Sequence, residues 1–160
     1  MTLNQISRVS FAIHPFEGTF AVTPILNGAP LMEVVQAFES AQGFEPAGAY
    51  GGLIPQWFKY GPLDRYFLGD VESDSYFGRL GHIYLLECTC GEAGCWPLAA
   101  RVKADADTVV WNSFQQPHRP EWDYSQFGPF AFEGNEYRQG LTDLQGDLSA
   151  RLSSFERGLS

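Results

Sequence analysis

"HIYLLECTCGEAGCWPLAARVKADADTVVWNSF", residues 82–114, contains three runs of apolar and β-branched residues separated by short breaks. HIYLLEC, WPLAARVKA and TVVWNSF read as three strands, the last two joined by DAD. Connections this short imply antiparallel neighbours, a β-meander. All three cysteines of the chain, Cys88, Cys90 and Cys95, gather around the first break. The stretch thus sets the frame of the fold and the first place to look for chemistry.

On its N-terminal side, Val9, Phe11 and Ile13 alternate with small or polar residues, which predicts a half-buried strand near residues 5–14. His14-Pro15 is expected to end it, because proline cannot donate to a ladder. TFAVTPIL (19–26) reads as a second strand, closed by the turn pair Asn27-Gly28. In APLMEVVQAFESAQG (29–43) the period changes. Leu31, Val34, Val35 and Phe38 share one helix face, Pro30 suits the first turn and Gly43 the end, so a helix is expected over about 30–42. Residues 43–81 interleave Gly and Pro with Tyr50, Trp57, Phe58, Tyr60, Tyr66 and Phe67. They read as a covering segment with its aromatics turned inward and a short helix within it.

Near the C-terminus, Tyr137, Leu141, Leu144, Leu148, Leu152, Phe155 and Leu159 step by three or four, which predicts a helix over about 135–157. Glu133 and Glu136 lie near its positive end, Arg151 and Arg157 near its negative end. Gly140 and Gly146 each cost such a helix roughly 1 kcal/mol relative to alanine, so tertiary packing has to hold it. The expected architecture is α+β: one domain spanning 1–160, with a single antiparallel sheet of about five strands and two packed helices.

Composition limits function. The 160 residues are 44% hydrophobic and 18% charged, with 13 Phe, 7 Tyr and 4 Trp, enough apolar area for a packed core. The net charge is −9 and lysine occurs only as Lys59 and Lys103. A phosphate backbone would be repelled, so nucleic acid is an unfavourable partner. A basic protein is the macromolecular partner this charge favours, although solubility alone also accounts for it. No stretch approaches the ~18 apolar residues of a membrane span. MTLNQISRVSFAIHPF lacks a basic start followed by an uninterrupted apolar run, so a cytoplasmic protein with reduced thiols is expected.

The cysteines allow several readings. If residues 83–90 pair with 95–103 across GEAG, Cys90 and Cys95 face each other, and Cys88 joins them on the same face. Three converging sulfurs are a partial tetrahedral site for zinc, with His118 or His82 as fourth ligand and Glu92 a poorer choice. A one-residue slip in register would send Cys95 to the other face. A Cys90–Cys95 redox disulfide and three quietly packed thiols are the alternatives. A nucleophilic thiol would need His82, His118 or Arg101 beside it.

A second candidate region is SFQQPHRPEWDYSQFGPFAF (113–132), with His118, Arg119, Glu121 and Asp123 among Trp122 and Tyr124. A histidine beside two carboxylates suits acid–base work or metal binding. The plainer reading has the aromatics anchoring the segment while Arg119 pairs with Glu121 or Asp123 at the surface.

LLECTCGEAGCWPLAARV and VVWNSFQQPHRPEWDYSQFGPFAFEGNEYRQGL together resemble a group of bacterial proteins with the pattern C-x-C-G-x-x-G-C-W-P and a downstream Q-P-H-R-P…W-D-Y segment. The resemblance covers about residues 82–141, with a fainter echo in ILNGAPLMEVVQAFE. It implies a bacterial family and brings no catalytic residues with it. The function expected from all this is a non-catalytic acidic binding domain, of which an inhibitor of a basic toxin is one special case. The alternative is a small metal- or thiol-dependent enzyme built on Cys88, Cys90, Cys95 and His118, with His82, Arg119, Glu121 and Asp123 as further candidates.

Overall fold

The computed structural model of the chain describes residues 6–156, with side chains to residue 153. Its strands are β1 (Ile6–Ser7), β2 (Val9–Phe16), β3 (Thr19–Leu26), β4 (Ala29–Pro30), β5 (Tyr50–Gly51), β6 (Ile83–Cys88), β7 (Leu98–Ala104), β8 (Thr108–Gln115) and β9 (Phe130–Glu133). Its helices are α1 (Leu31–Gln42), α2 (Leu63–Tyr66), α3 (Tyr76–Leu80) and α4 (Gly134–Glu156).

The meander is present, since β6, β7 and β8 pair antiparallel in sequence order. The rest of the sheet expectation is overturned. There are two sheets, one of six strands in the order β1-β9-β8-β7-β6-β5 and one of three in the order β2-β3-β4. The larger is mixed, because β1 runs parallel to β9. Among the described residues there are four helices, the two packed ones expected and two short ones in the covering segment, where a single short helix was expected.

The physical reason lies at Arg8. The segment read as one strand over 5–14 is two, broken where Arg8 donates its amide to Asn27 Oδ1 (2.7 Å) and accepts from the Asn27 amide (2.8 Å). Before this clasp the chain belongs to the large sheet, and after it to the small one (Gln5 lies outside the described residues). β2 also continues through Pro15 to Phe16, because β2 is an edge strand and tolerates a residue without a donor.

Residues 50–53 join the sheets. Tyr50 and Gly51 pair with Cys88 and Glu87, and two residues on Leu53 exchanges two backbone bonds with Val22, at 2.8 and 2.9 Å. Between them Gly52 lies so close to the small sheet that a Cβ would sit 2.7 Å from the Val22 carbonyl oxygen. Only glycine permits that approach.

The long covering segment does turn aromatics inward. Tyr60, Tyr66, Phe67 and Phe77 are buried, while Trp57 and Tyr76 remain exposed. Tyr66 goes further: its hydroxyl donates to the Tyr84 carbonyl (2.6 Å) and accepts from the Tyr84 amide (2.8 Å), acting on β6 as a neighbouring strand would. α4 presents Tyr137, Leu141, Leu144 and Leu148 to the core as its spacing predicts; Phe155, Arg157 and Leu159 lie outside the described side chains. Tyr137 fixes the helix, accepting from Trp111 Nε1 (2.9 Å) and donating to the Phe67 carbonyl (2.5 Å). At Gly140 the helix faces β2 with room to spare, since a Cβ there would make only ordinary contact with the Phe11 ring, at 3.5 Å.

Candidate metal centre

β6 ends at Cys88 and β7 begins only at Leu98, so Cys90 and Cys95 are not ladder partners. They sit in the loop of residues 89–97. Even so, the three Sγ atoms all lie within 4.8 Å of one another. The loop's own turns bring about this convergence: the Gly91 amide donates to the Cys88 carbonyl (2.9 Å) and the Cys95 amide to the Glu92 carbonyl (3.3 Å). Cys88 is half-buried, Cys90 and Cys95 are exposed, and none is bridged.

Several contacts hold the loop in this shape. Gly91 is buried at φ 87°, and a Cβ there would fall 2.6 Å from an Ile54 methyl and 2.7 Å from the Trp57 ring. Gly94 donates its amide to Glu87 Oε1 (2.9 Å), and Glu87 Oε2 accepts from the Tyr60 hydroxyl (3.3 Å). From the opposite side, His118 Nε2 lies 2.8 Å from the Gly94 carbonyl oxygen, which can only accept, so that nitrogen carries the proton. His118 is placed in turn by Gln116, whose Oε1 accepts the His118 amide (3.0 Å) and whose Nε2 donates to the Pro97 carbonyl (3.0 Å). The His118 ring also lies nearly parallel to Trp96, with centroids 6.1 Å apart.

The thiols influence one another. Burial alone would raise Cys88. Hydrogen bonds from the Cys90 amide and thiol, the Cys95 thiol and the Thr89 hydroxyl outweigh it and hold Cys88 below the ordinary thiol range. Cys95 is pushed up to about 12, chiefly by giving its proton to Cys88 and Cys90. Hydrogen bonds within the cluster thus ease ionisation of Cys88 and oppose that of Cys95. Beneath it, burial carries the Glu87 carboxyl up to about 7 against the two hydrogen bonds that lower it.

The sequence-predicted residues are only partly assembled. His118 touches the loop through Gly94 and stands outside the group of three thiols. Arg119 forms no pair with Glu121 or Asp123. Its guanidinium stands 5.0 Å from the centre of the Trp96 ring and donates to the His118 carbonyl (2.9 Å), because an aromatic face is available where the carboxylates are not. Asp123 closes a turn by accepting the Ser125 amide (2.8 Å), which holds its carboxyl below the usual range. Glu121 is exposed beside it, and both line a surface cavity that excludes His118 and Arg119. Glu92 is exposed in the loop and outside the thiol group. His82 stands at the far end of β6, bonded through Nδ1 to Gln115.

Sequence reasoning missed the supports. Glu87 interrupts the apolar run IYLLEC, a visible anomaly in a strand that proves buried throughout up to Cys88. Glu39 falls four residues after Val35, on the buried face of α1. Its Oε2 accepts from the hydroxyls of Tyr50 (2.6 Å) and Tyr124 (2.5 Å), and Oε1 from the Gly48 amide (2.8 Å). Gln116 ties the Glu39 group to the cysteine loop, since its Nε2 reaches the Tyr50 hydroxyl (3.3 Å) as well as the Pro97 carbonyl. Among the described residues no helix is long and apolar enough to cross a membrane. Comparison with protein-family models, curated proteins and solved structures finds no match for this chain.

Proposed function

We propose that this chain is an acidic, non-catalytic binding domain whose cysteine loop is organised by a thiophilic divalent metal, zinc first, on Cys88, Cys90 and Cys95 with His118 as fourth ligand. The observation that carries the reading is the approach of the three Sγ atoms to within 4.8 Å of one another. Thiolates and imidazole are the donors zinc prefers in structural sites. The loop backbone is already fixed by Glu87, Gln116 and the wall around Gly91, so coordination would cost little ordering. His118 would have to exchange its bond to Gly94 for the metal. The net charge of −9 supports a basic protein as the bound partner and weighs against nucleic acid. The bacterial proteins sharing C-x-C-G-x-x-G-C-W-P would carry the same loop.

A small metal- or thiol-dependent enzyme is the second reading. It is favoured by the exposure of Cys90 and Cys95 and by the lowered Cys88 thiol, which would leave a solvent-facing ligand position or a thiolate at the surface.

Metal analysis of protein purified without added zinc tests the proposal. One metal per chain, lost on chelation with a fall in Tm, is the expected result. Absence of stoichiometric metal together with a Tm indifferent to chelator would sink it. His118→Ala in the cobalt-loaded protein should change the visible spectrum and weaken retention about tenfold or more. An unchanged spectrum would assign the fourth position to another ligand.

A further inference from the structure

At the end of β6 and β7 opposite the cysteines, a cavity of about 500 Å³ opens between the strands and α3. Its polar lining includes Arg101, Lys103, His82, Asn112 and Ser73, with Phe77 among its apolar walls. Among the described residues no carboxylate lines it. That is unusual for a chain with 19 acidic and 10 basic residues. Two neighbouring cavities do carry carboxylates, Asp70 and Glu72 beside Lys59 and Arg65 in one, and Glu121 and Asp123 in the other.

The geometry explains the concentration of charge. Arg101 and Lys103 are two apart on β7 and so share a face, and Arg101 stands directly across from Asn112. β8 bulges beside that pair, where Ser113 takes φ 54° and the register jumps. Bulges commonly re-aim side chains next to sites. Among the described residues neither Arg101 nor Lys103 is in an ion pair. Arg101 spends one N–H on the Gly81 carbonyl (2.8 Å), and Lys103 shares its field with Asp105, which is not part of the lining.

His82 also lines the cavity. Its Nδ1 faces the Gln115 side-chain nitrogen at 2.9 Å, and an amide nitrogen only donates, so Nδ1 accepts and the ring proton sits on Nε2. That Nε2 is buried and has no partner.

We propose that this cavity binds a small amphipathic anion, an oxyanion head on an apolar body. The head is met by Arg101 and Lys103, and the body packs against Phe77. The volume is in the range of small-molecule sites, and the mix of apolar wall and few convergent polar groups matches such sites. Carboxylates and phosphate monoesters share this chemistry, and the guanidinium fork serves both. The inference is independent of any metal at the other end of the strands.

The test is titration of the full-length protein with benzoate, phenyl phosphate and, as the uncharged control, benzyl alcohol, monitoring the His82 ring resonances. Saturable shifts with one or both anions, weakening as ionic strength rises, are expected, and the tighter probe identifies the head group. Lys103→Met, at an exposed strand end, should weaken binding about tenfold while leaving the spectrum otherwise folded. Equal binding of benzyl alcohol would overturn the proposal. So would affinity indifferent to both salt and Lys103→Met, or no saturable shift with either anion. The salt arm uses the unaltered chain and does not depend on the variant folding.

Discussion

Glu39 and Glu87 are both buried to 0% exposure, yet they sit in different company. Glu39, under α1, receives two tyrosine hydroxyls and a main-chain amide, all at 2.8 Å or less. Glu87, under the cysteine loop, receives one amide at 2.9 Å and a tyrosine hydroxyl at 3.3 Å. Both carboxyls are cut off from water, and the number and closeness of the donors set them apart. With three donors the first acid is a fixed node joining α1, the Gly48 turn and the 113–132 segment. With two, the second changes charge near neutral pH, and it is the one that holds Gly94 between the cysteines. Rigidity is concentrated behind the site, and the adjustable group lies directly beneath it.

Glu39→Ala should break this contrast most severely. It strands two buried hydroxyls and an amide at once, and a loss of about 4 kcal/mol in chemical denaturation is expected. Glu39→Gln, which can still bond on both sides, should cost clearly less; equal costs would mean that packing, not hydrogen bonding, makes Glu39 a node.

The next effect concerns pH. The Glu87 carboxyl titrates near 7 when folded and near 4.5 ordinarily, so the folded chain holds its proton longer than the unfolded one. Its contribution is intact below about 4.5, is lost as pH rises toward 7, and is constant above that. The loss amounts to about 3 kcal/mol. Glu87→Gln should therefore flatten the stability profile between those limits and make the metal-free protein more stable than its parent at pH 8. A variant with the same slope as the parent would show that Glu87 is not the titrating group.

The smallest effect is His118→Ala. In metal-free protein it removes one exposed bond to Gly94, costing at most about 1 kcal/mol. Hydrogen exchange should quicken at the amides of residues 94–96 and stay unchanged at Gly48 and Tyr50. Faster exchange at both would show the two acids to be one cooperative unit, linked through Gln116.

Local pattern made much of this legible. β3, α1, the meander and α4 are read from periodicity, turn residues and caps, all of which act within a few residues. The division into two sheets was not legible, because it depends on Arg8 meeting Asn27 and Val22 meeting Leu53, contacts that no short-range signal specifies. The same holds at the site. Three sulfurs in eight residues were bound to be near one another, whereas their supports come from Tyr60, Gln116 and His118, each fixed by tertiary packing. The expected strand pairing was the wrong cause of the right convergence, since turns within 89–97 gather the thiols.

Tyr66 has a further consequence. An open strand edge offers a row of unmet donors and acceptors to any passing chain, and such edges seed aggregation. β5 covers β6 only at Glu87 and Cys88, which would leave the middle of β6 open to intruders. One phenol hydroxyl occupies both main-chain groups of Tyr84 there. Tyr66→Phe would leave the buried ring over that edge but strip both main-chain groups of Tyr84 of their partner, so the penalty falls inside the core and the edge stays closed to other chains.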